Sequence, residues 1–370
     1  METKTAEVNK ELSCSNCGAQ LKYAAGTQNL KCDFCGTENE IFNPEAQGEK
    51  IVEEIDFEKF LSENSVGTEQ KMELTTVNCD GCGASSTLKP NLSSDNCAFC
   101  GNPLVVKNAS TCNVIRPKYL LPFKLDNNAA TGALKKWIGG LWFAPGDLKL
   151  YANRPERLNG IYMPYWTYDA ATDSNYTGMR GINYTATETY SAMENGKSVT
   201  RTRTVTRTRW TSCSGRVNCD FDDVLVHASR SLPDKYAMAL EPWDMDNLCE
   251  YSDKFLAGFK TEVYQTNMKE GFEFAKARMT ETIRNHERSD IGGDQQRILT
   301  LNTRYDNITF KHILLPVWIS SYRYNGKVYR FVINARTGEV QGERPYSVAK
   351  IIGFSLGVVE DIAFIFYLIQ

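Results

Sequence analysis

The spacing of apolar positions divides this chain into segments of different period. Between 265 and 288, Met268, Phe272, Ala275, Met279 and Ile283 recur every three or four residues, the stripe of an amphipathic helix. His286 closes the stripe and reads as a packed or capping residue, and Ile291-Gly292-Gly293-Asp294 ends the helix. Three short runs instead place apolar residues around a proline: Leu120-Leu121-Pro122-Phe123, Tyr162-Met163-Pro164-Tyr165-Trp166 and Leu314-Leu315-Pro316-Val317-Trp318. Proline has no N–H to give a ladder, so each run belongs at a strand start or sheet edge. After the first run, Asp126 is placed to cap a helix through Trp137. After the second, 176–210 reads as a long hairpin turning at Glu194-Asn195-Gly196-Lys197. The last strands pair across Asn325-Gly326. Strands are expected at 120–125, 162–169, 184–190, 199–210, 316–324 and 328–334.

Two stretches fall outside this body of 110–346. Residues 44–76 carry nine carboxylates against three lysines, with Ile51, Val52, Ile55, Phe57, Phe60 and Leu61 clustered among them, and read as an acidic linker holding one short helix. Residues 348–370 are apolar and long enough to span a bilayer. Glu360 and Asp361 sit at the middle, and their cost roughly cancels the gain from the apolar residues. The tail therefore reads either as a membrane helix or as a packed C-terminal helix of the body.

Composition adds limits. With 370 residues, 42% of them apolar and 24% charged, the chain has room for two or three globular domains. A net charge of −3 provides no global field for nucleic acid. Met1 to Glu11 contain no apolar signal-peptide core, so the expected compartment is the reducing cytoplasm, where thiols bind metal rather than pair.

Eight of the twelve cysteines form two quartets of one spacing. Cys14, Cys17, Cys32 and Cys35 make the first, within 12–43; Cys79, Cys82, Cys97 and Cys100 make the second, within 77–107. Each Cys-x-x-Cys pair is followed by glycine. Two such turns deliver four thiolates to one tetrahedral ion, so two zinc ribbons are expected, with rubredoxin-like iron as the other metal of suitable softness. Four protein sulfurs leave no open position for water, which makes the sites structural. Cys112, Cys213, Cys219 and Cys249 lack the two-residue spacing and read as core thiols.

One charge pattern stands out in the hairpin. Lys197, Arg201, Arg203, Arg207, Arg209 and Arg216 are six cations with no acid between Asn195 and Asn218. On a strand the four central arginines share one face and the threonines between them the other. The arm suits an anionic partner such as phosphate or an acidic lipid headgroup. It also suits a solvated face paired with Glu188, Asp220, Asp222 or Asp223. The ribbons themselves are not basic.

Enzyme motifs occur only as imitations. Gly353-Phe354-Ser355-Leu356-Gly357 has the spacing of a nucleophile elbow, but no histidine follows it. Gly196-Lys197-Ser198 resembles the end of a phosphate-binding loop, but Ser191 stands where the first glycine is required. His227, His286 and His312 compose no triad.

The whole ordering resembles a bacterial family of double zinc-ribbon proteins. The resemblance lies in the two ribbons, Trp210, Gly215-x-Val217, Phe221-Asp222-Asp223-Val224-Leu225-Val226, Leu232-Pro233, Ile291-Gly292-Gly293-Asp294, the Pro316-Val317-Trp318 run and Thr337-Gly338-Glu339-Val340 through Ser347. Members are often labelled TFIIB-type zinc ribbon or primosomal protein N′ superfamily II helicase-like, and many end in a transmembrane helix. A helicase motor needs a phosphate-binding loop and an acidic magnesium box, and the sequence has neither.

The expectation is then an α+β chain: two N-terminal zinc ribbons, a mixed strand-rich α+β body and an apolar C-terminal helix. Its expected role is a non-enzymatic adaptor holding two Zn2+, facing the cytoplasm and attached to the membrane by its tail. Unidentified proteins are the first partners, with anionic lipid at the arm; a replication-related nucleic-acid binder using the Arg/Thr hairpin is the alternative.

Overall fold

The computed structural model describes residues 12–41, 52–62, 71–87, 94–105, 109–151, 158–194 and 196–369. Asn195 of the expected hairpin turn and residues 44–51 and 63–70 of the acidic linker lie outside them, as do the side chains of Glu360 and Asp361.

The first ribbon is a small sheet of β1 (Lys22–Tyr23), β2 (Asn29–Lys31) and β3 (Glu38–Glu40). β4 (Ile55–Asp56) and helix α1 (Phe57–Ser62) follow. The second ribbon contains β5 (Lys71–Asn78), β6 (Ser85–Thr87), β7 (Ser94–Asn96), β8 (Pro103–Val105) and β9 (Ala109–Ile115), and β5 begins inside the stretch read as linker. Next come β10 (Tyr119–Leu120), α2 (Asn127–Gly139) and α3 (Gly146–Tyr151). Asp126 caps α2 by accepting from the Ala129 N–H, as its position in sequence predicts.

Three very long strands then dominate. β11 (Asn159–Glu194) has 36 residues and β12 (Lys197–His227) has 31. They pair antiparallel from Tyr165↔His227 to Glu194↔Lys197, with one register shift between Tyr168 and Ala170. α4 (Asp234–Ala239), β13 (Cys249–Glu250), α5 (Asp253–Leu256), β14 (Lys260–Thr261) and α6 (Met268–Ile291) lead to β15 (Gln295–Tyr324), 30 residues long. β15 runs antiparallel to β11 from Asn159↔Ile319 to Gly181↔Gln295. β16 (Lys327–Asn334), β17 (Val340–Gly342) and α7 (Val348–Ile369) complete the chain. At a rise of about 3.3 Å per residue, β11 alone is about 120 Å long. Its last 13 residues have only β12 beside them, so the hairpin projects past the third strand as a two-stranded arm.

Period-two alternation at the base of this sheet assigns a cover to each face. Tyr162, Leu314 and Trp318 point to the face carrying Tyr23, Leu30 and Cys32 of the first ribbon. Ile161, Met163, Ile313 and Leu315 point to the opposite face, against Val77, Phe99 and Leu104 of the second. The ribbons therefore stand on opposite sides of one sheet. Farther along, Trp166 and Tyr168 meet Met268, Phe272 and Met279 of α6. The Trp166 indole donates to Thr266 O at 2.8 Å and the Tyr168 hydroxyl to Met268 O at 2.6 Å, which fixes the start of that helix.

The expected α+β class with a closing apolar helix is corrected on two counts. The body is dominated by strand, because the sequence at 295–315 and 211–227 continues strands that were expected only at 316–324 and 199–210. α7 is held at its first turn, where Lys350 donates to Ala144 O at 2.7 Å, and Phe143 meets Phe354 edge-on at 5.5 Å. Beyond that Leu356, Val359 and Ile362 stand exposed. Among the described residues no helix is long and apolar enough to cross a membrane, so the expected membrane attachment through 348–370 has no span to support it.

Candidate metal centres and the basic arm

Four knuckles of one geometry hold the eight cysteines. In each, the N–H of the glycine after the second cysteine bonds back to the first cysteine's carbonyl: Gly18 to Cys14 at 2.9 Å, Gly36 to Cys32 at 3.0 Å, Gly83 to Cys79 at 2.7 Å and Gly101 to Cys97 at 2.9 Å. The turn requires positive φ, 71° at Gly18 and 74° at Gly101, a region that disfavours a side chain. Each first cysteine also donates its N–H two residues past the pair, as Cys14 does to Ala19 O at 2.7 Å. The knuckle thus closes beneath the sulfurs and turns both towards one point.

Paired knuckles bring four sulfurs within 4.8 Å of one another in each quartet. The closest approaches are Cys14–Cys35 and Cys17–Cys32, both 3.5 Å, and Cys79–Cys100 at 3.4 Å and Cys82–Cys97 at 3.6 Å. A tetrahedron with Zn–S of about 2.3 Å has edges of about 3.8 Å, close to these separations. The two clusters are compatible with two zinc ions. Within each quartet the sulfurs divide by acidity, and burial pushes Cys100 up to about 11. Hydrogen bonds from Thr37 hold Cys35 down at about 5, and the Cys82 thiol holds Cys97 down at about 5. A divalent cation would supply the charge that lets the remaining sulfurs follow. In the first quartet Cys17 and Cys35 are exposed; in the second Cys79, Cys97 and Cys100 are buried and Cys82 is half-buried.

Neither ribbon hangs free. Tyr23 N–H bonds Ala257 O, Gly26 N–H bonds Phe123 O, and the Tyr23 ring meets Phe255 edge-on at 5.2 Å. On the other face Lys260 reaches Asp95 at 3.0 Å and Asn96 O at 2.6 Å, while the Gln265 amide donates to Gly83 O at 2.7 Å.

The arm is two-faced, as the alternation predicts. Arg201, Arg203, Arg207 and Arg209 oppose Tyr190, Glu188, Tyr184 and Ile182, while Thr202, Thr204 and Thr206 oppose Thr189, Thr187 and Thr185 on the reverse. Glu188 takes Arg203 at 3.1 Å and Arg207 at 2.6 Å, and Glu194 takes Arg201 at 2.9 Å. Arg216 ion-pairs with Asp173 below the arm. Arg209 lies over the Tyr184 ring at 5.4 Å, and neither it nor Lys197 has a carboxylate partner among the described residues. Glu188 is the acid that the sequence pointed to; Asp220, Asp222 and Asp223 lie too far down β12 to reach the arm.

Asp222 and Asp223 serve another purpose. β11 carries register breaks on both sides at Asp169, one against β12 and one against β15, where Asp223 and Asn307 take positive φ of 51° and 52°. Lys311, 3% exposed, fills this double bulge. Its ammonium pairs with Glu54 at 2.7 Å, Asp223 at 2.8 Å and Asp169 at 3.7 Å. Burial pushes Asp169 up to about 7, while Glu54, despite its own burial, is held at about 2 by Asp169 and Lys311. Glu54, Asp169 and Asp222 also lie close enough to share an ion, but Lys311 already supplies the cation there.

Sequence reasoning missed this buried network, since its members lie up to 257 residues apart. It also placed the other thiols only in part. Cys219 and Cys249 are buried, whereas Cys112 and Cys213 are half-buried. The Cys219 sulfur meets His286 Nδ1 at 3.1 Å, so His286 is a polar neighbour of the sheet rather than a packed one.

No family model matches the chain. The chain is similar to the uncharacterized protein YdjG of Bacillus subtilis (strain 168), 25% identical over 254 residues, which cover 66% of this chain and 68% of that protein.

Proposed function

We propose that this chain is a non-enzymatic zinc-ribbon scaffold that binds an acidic protein through its projecting arm. The observation carrying this reading is the exposed face of the arm, which interleaves arginine with aromatic and apolar residues. Tyr184, Tyr190, Ile182 and Val199 are exposed there beside Arg201, Arg203, Arg207 and Arg209. Arginine and tyrosine are the side chains enriched where proteins recognise one another. Between 182 and 209 five cations stand against two carboxylates, Glu188 and Glu194, in a chain whose overall charge is −3. The surplus favours an acidic surface. The zinc clusters, closed by four sulfurs each, fit a role in stiffening the base from which the arm extends.

The test is a charge reversal. The full chain and its Arg201→Glu, Arg203→Glu, Arg207→Glu, Arg209→Glu variant are purified from cells, with two zinc ions per chain verified in each. A protein recovered in stoichiometric amount with the first and lost from the second supports the reading. Absence of such a protein overturns it. So does salt-sensitive binding of the purified chain to a single-stranded oligonucleotide that the same four changes abolish, which would make the arm a nucleic-acid reader.

A further inference from the structure

A cleft of about 720 Å³ opens at the free edge of β12, between the α4 segment and α6. That size is within the range of small-molecule sites. Its walls are largely apolar, with Leu225 and Leu232 inside and Met238 and Phe274 at the mouth, 50% and 53% exposed. Two large apolar side chains facing water across a cleft are a standing cost that an occupant would relieve.

The lining also includes two buried polar groups without hydrogen-bond partners among the described residues. His227, with a side chain 4% exposed, leaves both ring nitrogens unbonded, and Tyr165, 1% exposed, leaves its hydroxyl unbonded. The two rings lie 5.2 Å apart. Such orphans cost about 1–3 kcal/mol each and ask for an explanation. The nearest acid, Asp234, stands 4.0 Å from His227 Nδ1, beyond hydrogen-bond range, and is itself 74% exposed. Burial lowers the His227 pKa, so the imidazole is neutral and offers one accepting nitrogen and one donor.

The other charges around the cleft are committed. Arg278 binds both oxygens of Glu241, at 2.9 and 2.8 Å, and donates to Leu225 O. Arg230 lies 3.8 Å from Glu270, and Lys276 takes Glu273 at 2.8 Å. Asp234 is the carboxylate with only a neutral imidazole beside it.

We propose that this cleft is a binding site for a small amphipathic amine, its apolar body between Met238 and Phe274 and its protonated nitrogen between Asp234 and His227. An ammonium is donor-only, and it would satisfy the Asp234 carboxylate and the accepting nitrogen of His227 together. An anionic ligand would meet uncompensated repulsion at Asp234. The site is independent of the arm and of the scaffold reading.

The chain has three histidines, so labelling the imidazole Cε1 carbons gives three resonances, with that of His227 identified by its loss in His227→Gln. The full zinc-loaded chain is titrated with tryptamine and with indole-3-acetate, which share a ring and differ in charge. Tryptamine should shift the His227 signal saturably, with a Kd at or below about 1 mM, and leave His286 and His312 unmoved. Indole-3-acetate, and tryptamine against Asp234→Asn, should each bind at least about tenfold more weakly. Ala277→Trp, at an exposed lining position, should abolish the shift by filling the mouth. An unmoved His227 signal at several millimolar tryptamine overturns the proposal. Equal affinity for the two probes, or undiminished binding to Ala277→Trp, overturns it as well.

Discussion

Replacing Lys311 with methionine keeps the length of a buried stem and removes its charge. In the native chain the ammonium lies 2.7 Å from Glu54, 2.8 Å from Asp223 and 3.7 Å from Asp169, with 3% of the side chain exposed. Burial works against the charge of Lys311, but Asp223 and Glu54 outweigh it and raise the pKa, so the group stays protonated through the neutral range. Without it, three carboxylates share a site with no counter-ion. Deleting one partner of a buried pair costs about 3–5 kcal/mol, a hundredfold or more in the unfolding equilibrium. The cost should depend on pH. Asp169 titrates near 7 when folded, against an ordinary 3.8, so it keeps its proton in the folded state at pH 5 and loses it above 7. A raised acid of this kind makes stability fall as pH rises between these values. Loss of the ammonium sharpens that fall, because more negative charge then gathers unopposed. Urea unfolding of both proteins, followed by circular dichroism of the sheet, should give a large deficit for Lys311→Met at pH 7.5 and a smaller one at pH 5. A deficit under about 1 kcal/mol at both pH values would refute the account, as would one that does not change between them.

The exposed Cys17 and Cys35 predict that the first zinc leaves sooner than the second; a chromogenic chelator should report two phases of one equivalent each, and Cys35→Ser should remove the fast phase. A single phase of two equivalents would contradict it. In α6, a Cβ at Gly271 would collide with the Tyr168 hydroxyl and come within 3.0 Å of Trp166 Cδ1. Gly271→Ala should therefore destabilise by about 1–3 kcal/mol, read from the urea midpoint, and a neutral result would mean the helix shifts freely on the sheet. Replacing 184–207 by a short turn removes only a two-stranded ribbon, which adds little to stability. The melting temperature should stay within about 4 °C of the parent, and a greater loss would show that the arm braces the base.

How much of this was legible in sequence depends on how local each signal is. The cysteine knuckles could be read because four residues fix the whole turn. Asp126 as a cap and the 3.6-residue stripe of α6 were legible for the same reason, although the helix runs Met268–Ile291 rather than 265–288. The long hairpin was read at 176–210 but pairs from Tyr165↔His227 onward. Gly178, Gly181 and Asp173 interrupt the alternation there, and long-range partners make them tolerable: Gly178 sits at a register shift against β15, where a Cβ would strike Arg297 O. Most of β15 escaped notice because residues 295–309 are only half-buried at best, with Leu301, Tyr305 and Ile308 spaced unevenly among polar residues and no strict alternation for the period to mark. The Lys311 network and the β12-edge cleft depend on tertiary contact alone, and nothing local announces them.

The placement of the ribbons on opposite faces of one sheet has a consequence for the duplication. Two copies of a unit usually give redundancy, so that losing one leaves a working half. Here the pair encloses a single slab of backbone from above and below, and removing either cover wets the same strands. Tandem repetition has produced an indivisible casing rather than a spare, so that loss of the more exposed metal alone would already open the slab on one side.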